Sequence, residues 1–97
     1  MEVSYGAKAI IRERIRQEEA EGWTPEHDDQ HSNEELARAA LCYVSDYAER
    51  GGGKLQEQLW PWELEDWKPT PNDHIKQLTK AGALIAAEID RLHRLNP

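Results

Sequence analysis

Apolar residues recur along this chain at helical spacing, and no alternating strand pattern of useful length interrupts them. Ala7, Ile10, Ile11 and Ile15 share one side of a segment running from about residue 7 to 21. Arg12, Glu13, Arg14, Arg16 and Gln17 fill its remaining faces. Gly22 is placed to end that helix, because glycine relieves the left-handed C-cap position. A second helix is expected over about 32–49. It opens on Ser32 with Glu35 three residues on, a capping box, and its apolar face is Leu36, Ala39, Ala40, Tyr43, Val44 and Tyr47. A third, over about 72–95, opens on Asn72 as N-cap after two prolines. There Ile75, Leu78, Gly82, Ile85, Ile89 and Leu92 follow a 3-4-3-4-3 spacing, which predicts the seam of a packed helix pair. Ala81, Ala83, Ala86 and Ala87 allow close approach. Glycine inside a helix costs about 1 kcal/mol against alanine, so a neighbouring helix or ring is expected to pack over Gly82. The predicted fold is all-α: a small three-helix domain over residues 1–97.

The connections carry the unusual composition. Residues 22–31 read Gly22-Trp23-Thr24-Pro25-Glu26-His27-Asp28-Asp29-Gln30-His31, with Thr24-Pro25 forming a local N-cap and first-turn pair. The stretch from His27 to His31 is therefore readable as a single helical turn. The connection over 50–71 is first glycine-rich and then tryptophan-rich. Gly51-Gly52-Gly53 ends the second helix, and with Lys54 it lacks the rest of a phosphate-binding P-loop and follows a helix, not a strand. Trp60, Trp62 and Trp67 place three of four tryptophans within eight residues. Such a cluster packs as core against the helices, and one ring could also face a ligand.

Composition narrows the class. A chain of 97 residues has room for one core. No apolar run approaches the ~20 residues of a bilayer span, and no signal-peptide pattern follows the N-terminus. Cys42 is alone in an apolar setting and reads as a small buried thiol of a reducing, cytoplasmic compartment. The net charge of −7 speaks against direct nucleic-acid binding, which needs a basic patch. Neither a cofactor nor a catalytic residue is expected.

Chemistry concentrates in the 22–31 run, since binding groups gather on loops held by rigid elements. The expected ligand-binding set is Arg14, Arg16, Trp23, His27, Asp28, Asp29 and His31. Arginine's planar fork suits phosphate or carboxylate, Trp23 could stack on a base, and the histidines and aspartates could read polar groups. The expected ligand is small and anionic or nucleotide-like. His27 and His31, four residues apart near two carboxylates, are competent metal ligands. Glu18, Glu19, Glu21, Glu34, Glu35, Glu88 and Asp90 offer no clean pairing for a metal-dependent nucleotide hydrolase. Acidity also allows a surface inhibitor that mimics nucleic acid towards a host protein, with Glu13, Glu18, Glu21, Glu57, Glu63, Glu65 and Asp66 aligned on one exposed face. The last-helix seam could support a homodimer. In the bland alternative, Asp28 and Asp29 cap helix ends or pair with Arg14 or Arg16, and the histidines bond the backbone.

Several runs resemble a family of short proteins of tailed bacteriophages and prophages: Glu13 to Gln17, Glu21 to His31, Glu35-Leu36-Ala37, Trp60-Pro61-Trp62, Trp67-Lys68-Pro69, Lys80 to Ile85 and Ala87 to Leu92. The likeness spans nearly the whole chain, and its Trp-Thr-Pro-Glu-His-Asp-Asp run is specific. The chain departs from it at Glu34, where the family more often has glycine, and at Asn72-Asp73-His74, where it is more basic. The second departure would weaken any anion site built from that corner. The resemblance implies an accessory protein of the host cytoplasm and supplies no function. The order of Gly22-Trp23, Asp28-Asp29, His31, Pro61-Trp62-Glu63-Leu64 and Asp73 with Ile75-Lys76 is also similar to the ryanodine-receptor repeat domain, though the spacing differs. That likeness implies a nucleotide-type ligand and a link to nucleotide-signalled defence.

Overall fold

The computed structural model describes residues 2–49 and 55–96; the glycine run expected to end the second helix, and Lys54, lie outside them. The described residues form helices and no strand, in agreement with the all-α expectation. Helix α1 is Tyr5–Glu21, α2 Pro25–Asp28, α3 Glu35–Ala48, α4 Leu55–Leu59 and α5 His74–Leu95, with a 3-10 turn at Leu64–Asp66. Helices α1, α2 and α3 pack on α5, and α4 packs on α3.

Local chemistry explains most helix ends. Ser4 caps α1 through its hydroxyl, which accepts from the Ala7 N–H at 3.2 Å. Gly22 ends that helix with φ 72°, the left-handed geometry expected of it. Thr24 caps α2, accepting from His27 N–H at 3.3 Å, with Pro25 in the first turn. Helix α5 is capped by Asp73, one residue after the expected Asn72, its carboxylate accepting from Lys76 N–H at 3.0 Å.

The start of α3 departs from the expected box. The helix begins at Glu35 rather than Ser32, and the Glu35 carboxylate accepts instead from the Asn33 N–H at 2.6 Å. The cap position falls on Glu34, whose φ of 61° is left-handed and whose side chain makes no cap bond. A residue without Cβ adopts that geometry freely.

The core is built from small residues. Leu36, Ala39, Ala40 and Tyr43 of α3 meet Ala81, Leu84 and Ala87 of α5, and Trp23, Trp60, Trp62 and Trp67 pack around them. Tyr43 lies against Trp67 and Trp60 at 4.7 and 5.8 Å between ring centres, and Trp60 against Trp67 at 5.0 Å. The Trp60 indole donates to the Glu63 carbonyl at 2.9 Å. The tryptophan cluster is therefore core, as expected, and Cys42 is a buried thiol whose pKa burial raises.

The predicted faces of α1 and α5 are corrected. Helix α1 turns Gln17 inward while Ile11 and Ile15 stay about half exposed, at 52% and 48%. Helix α5 buries Gln77, Ala81, Leu84, Ala87 and Arg91, and leaves the seam residues Ile75, Leu78, Ile85, Ile89 and Leu92 outward. On α3, Val44 and Tyr47 also remain partly exposed. Periodicity marks an apolar face without saying what covers it. Here alanines take the inner face because they let the backbones approach, and the buried amide of Gln77 is satisfied in place. Gln77 donates to the Tyr43 carbonyl and the Asp46 carboxylate at 3.2 and 3.0 Å and accepts from Thr70 N–H at 2.7 Å. Gly82 does have a neighbour packed over it, because Ile10 Cδ1 lies 2.5 Å from where a Cβ would stand.

Candidate functional site

The aromatic connection does not close fully onto the helices. Between the C-terminal half of α1, α2, residues 61–68 and the middle of α5 lies a cleft of about 820 Å³. One wall is a row of rings. His27 meets His31 edge-on at 4.9 Å, His31 meets Trp62 at 5.2 Å, and Trp62 meets Trp23 at 5.9 Å. Thr24-Pro25 creates this row, since the short α2 it starts sets His27 four residues before His31 on one side.

The row carries unused polar atoms. His31 Nδ1 lies 3.2 Å from the Glu35 carboxylate. An ionised carboxylate can only accept, so Nδ1–H donates. Neither His31 Nε2 nor the Trp62 indole N–H has a partner among the described residues. Gln17, 2% exposed on the cleft's α1 side, likewise leaves its side-chain oxygen unpartnered.

Charge in the cleft is mixed. Arg16, Lys68 and Lys80 line it together with Glu13, Glu21, Glu63 and Asp66. Glu13 grips Arg16 by two bonds of 2.8 Å and accepts from Gln17 at 3.1 Å. Burial alone would raise the Glu13 pKa, but the Arg16 bond and charge, with Gln17 and Lys80, hold it below the ordinary range. Lys80 donates to the Lys68 carbonyl at 2.8 Å and stands 5.6 Å from the Tyr43 ring centre. Its pKa is lowered, by burial first and by the nearby cations Lys76 and Arg16. Burial also pushes the Tyr43 hydroxyl up to about 12, against a lowering from the Lys68 backbone.

The seven expected residues divide. Arg16, Trp23, His27 and His31 line the cleft. Arg14 and Asp28 face each other instead at 2.6 Å, with Asp28 1% exposed and Arg14 also donating to the Trp23 carbonyl. Asp29 points elsewhere, towards Arg94 at the end of α5, which reaches it at 2.6 Å and bonds the Pro25 carbonyl at 3.2 Å. For Arg14 and Asp28 the structural alternative describes the geometry, whereas Asp29 pairs with Arg94, a partner that alternative did not name. Gln17, Lys68 and Lys80 were not expected at the site. Nothing in the local pattern marks them, because helix packing and the tryptophan connection bring them together.

Among the described residues, no group of three or more histidine, cysteine or acidic side chains gathers as a metal site. Of the carboxylates expected on one exposed face, Glu13, Glu21, Glu63 and Asp66 line the cleft, and Glu18 approaches Arg14 at 3.6 Å. The Glu57 side chain lies outside the described residues. No described helix is long and apolar enough to cross a membrane. In comparisons with known proteins, no family model, no curated protein and no solved structure matches the chain.

Proposed function

We propose that the protein binds a small nucleotide-like ligand non-covalently in the Trp23–Trp62 cleft. The observation that carries this reading is the row of four rings beside Lys80, in a concavity of about 820 Å³. That volume is the usual size for small-molecule sites. A planar base stacks on Trp23 or Trp62. The anionic end meets Lys80, which gives one bond to Lys68 and keeps the rest of its donor capacity, with Lys68 and Arg16 adding positive charge. Carboxylates of Glu13 and Glu21 accept from sugar hydroxyls or a base amine, which makes the mixed charge a fit for a nucleotide rather than for a bare anion. Taken with the resemblance to phage proteins, the role we assign is capture of a nucleotide signal within the host.

The test is native mass spectrometry of the full chain as purified, followed by tryptophan-fluorescence titration with adenosine and guanosine mono- and triphosphates and a cyclic dinucleotide. A saturable fluorescence change is expected for at least one probe. Lys80→Ala should weaken it tenfold or more, while Asp29→Ala leaves it unchanged. A chain that retains no small molecule and responds to no probe up to millimolar concentration would refute the reading.

A further inference from the structure

The outer face of α5 carries a second message, independent of the cleft. Ile75, Leu78, Ile85, Ile89 and Leu92 remain 39–59% exposed in one stripe along the helix. Their spacing reads the same from either end. About the midpoint between Ala83 and Leu84, Ile75 mirrors Leu92, Leu78 mirrors Ile89 and Gly82 mirrors Ile85. The gap at Gly82 is filled from α1, since Ile10 places its Cδ1 2.5 Å from where the missing Cβ would be. The stripe is thus continuous, and it is self-complementary when two copies of α5 run antiparallel.

Two further observations select a second copy as the occupant. The first is charge. A two-fold contact sets identical surfaces against each other, so a chain of net charge −7 tolerates one only where charge is absent. Heptad positions beside the stripe are Thr79, Ala86 and His93 on one side and His74 and Glu88 on the other, with Ala81 turned into the core. Glu88, the one carboxylate there, is held by Arg91 at 2.6 Å. No ionised patch among these positions invites a partner of opposite charge. The second observation is area and shape. Complete cover of the five stripe residues removes at most roughly 500 Å² per chain, so a pair buries up to roughly 1,000 Å², the lower bound for a specific interface. An apolar groove of about 240 Å³ between α1 and α5, beside Ile75 and Leu78, lies where the antiparallel register delivers Ile89 and Leu92 of the second copy.

We propose that the chain is a homodimer paired antiparallel through the outer stripe of α5. Sedimentation of the full chain at about 50 μM should give the dimer mass, with a weight average that falls on dilution. Ile85→Glu with Ile89→Glu should raise the dissociation constant a hundredfold or more and leave the circular dichroism unchanged. Register is read separately by oxidising Leu78→Cys and Ile89→Cys variants, Cys42 being buried. A mixture should yield the disulfide-linked pair. Neither variant alone should, because like positions lie about 16 Å apart along the axis in this register. A monomer at every concentration, a dimer indifferent to the double glutamate substitution, or cross-linking of the single variants would each overturn the proposal. Should the glutamate variant fail to fold, the wild-type mass and the cross-link pattern decide.

Discussion

Asp28 and Asp29 are neighbours in sequence with opposite structural roles, and alanine at each separates them sharply. Asp28 is 1% exposed and accepts from Arg14 at 2.6 Å, in a pair that ties α2 to the middle of α1. Removing one partner of a buried ion pair costs about 3–5 kcal/mol, because the other charge stays behind without compensation. Arg14 would keep its bond to the Trp23 carbonyl and a 3.6 Å approach to Glu18. That puts Asp28→Ala at the lower end, about 3 kcal/mol. A domain of this size has about 5–15 kcal/mol of stability in total. A loss of about 3 kcal/mol should therefore lower Tm by roughly 12–24 °C. Asp29, by contrast, makes an exposed pair with Arg94, of the kind that contributes little. Thermal unfolding followed by circular dichroism at neutral pH, wild type against each single variant, is the assay. Arg14→Leu with Asp28→Leu should recover most of the loss, since an apolar pair leaves no charge buried. Equal Tm shifts for the two aspartates would refute the reasoning. So would an Asp28→Ala protein as stable as wild type that had lost ligand binding, which would return Asp28 to the binding set.

Three other outcomes follow from single contacts. The left-handed φ of 61° at Glu34 comes with no cap bond to lose. Glu34→Gly should therefore stabilise the fold by about 1 kcal/mol, visible as a higher urea midpoint. Gln77→Leu should destabilise by about 2–3 kcal/mol in the same measurement, as it removes the acceptor of the Thr70 N–H and the buried amide that bridges the Tyr43 carbonyl and the Asp46 carboxylate. Glu13 and Glu35 both have pKa values held below the ordinary 4.5 in the folded chain. Their contribution to stability is thus complete above pH 4.5 and is lost as pH falls through the folded values. Glu13→Gln should accordingly flatten the fall in Tm between neutral and acid pH; an unchanged slope would show that the Arg16 contact carries no linkage.

Glu34 is a helix start held at φ above zero, a geometry that a residue without Cβ adopts freely. Cleft residues have no such marker. Gln17 reads in sequence as an ordinary polar position on α1, and Lys80 as the solvated start of an alanine-rich turn.

Local and periodic features were legible in the chain before it folds. Helical spacing, Gly22, the Thr24-Pro25 pair and the tryptophan-rich connection sufficed for an all-α chain, the end of α1, the short α2 and an aromatic core. Each depends on residues within a turn of one another, or on burial that large aromatic rings demand wherever they lie. Which apolar face looks inward was settled only by packing. On α5, isoleucine and leucine define the stronger stripe, yet alanines take the core because close helix approach gains more contact than bulk at that distance. Gln17, Gln77, Asp28 and Arg91 then go inside, since each finds a polar partner or a cleft edge there. The same choice turned the predicted seam outward and divided the expected binding set between a cleft and an internal ion pair. Burial of a charge depends on a partner far away in sequence, and no local pattern carries that information.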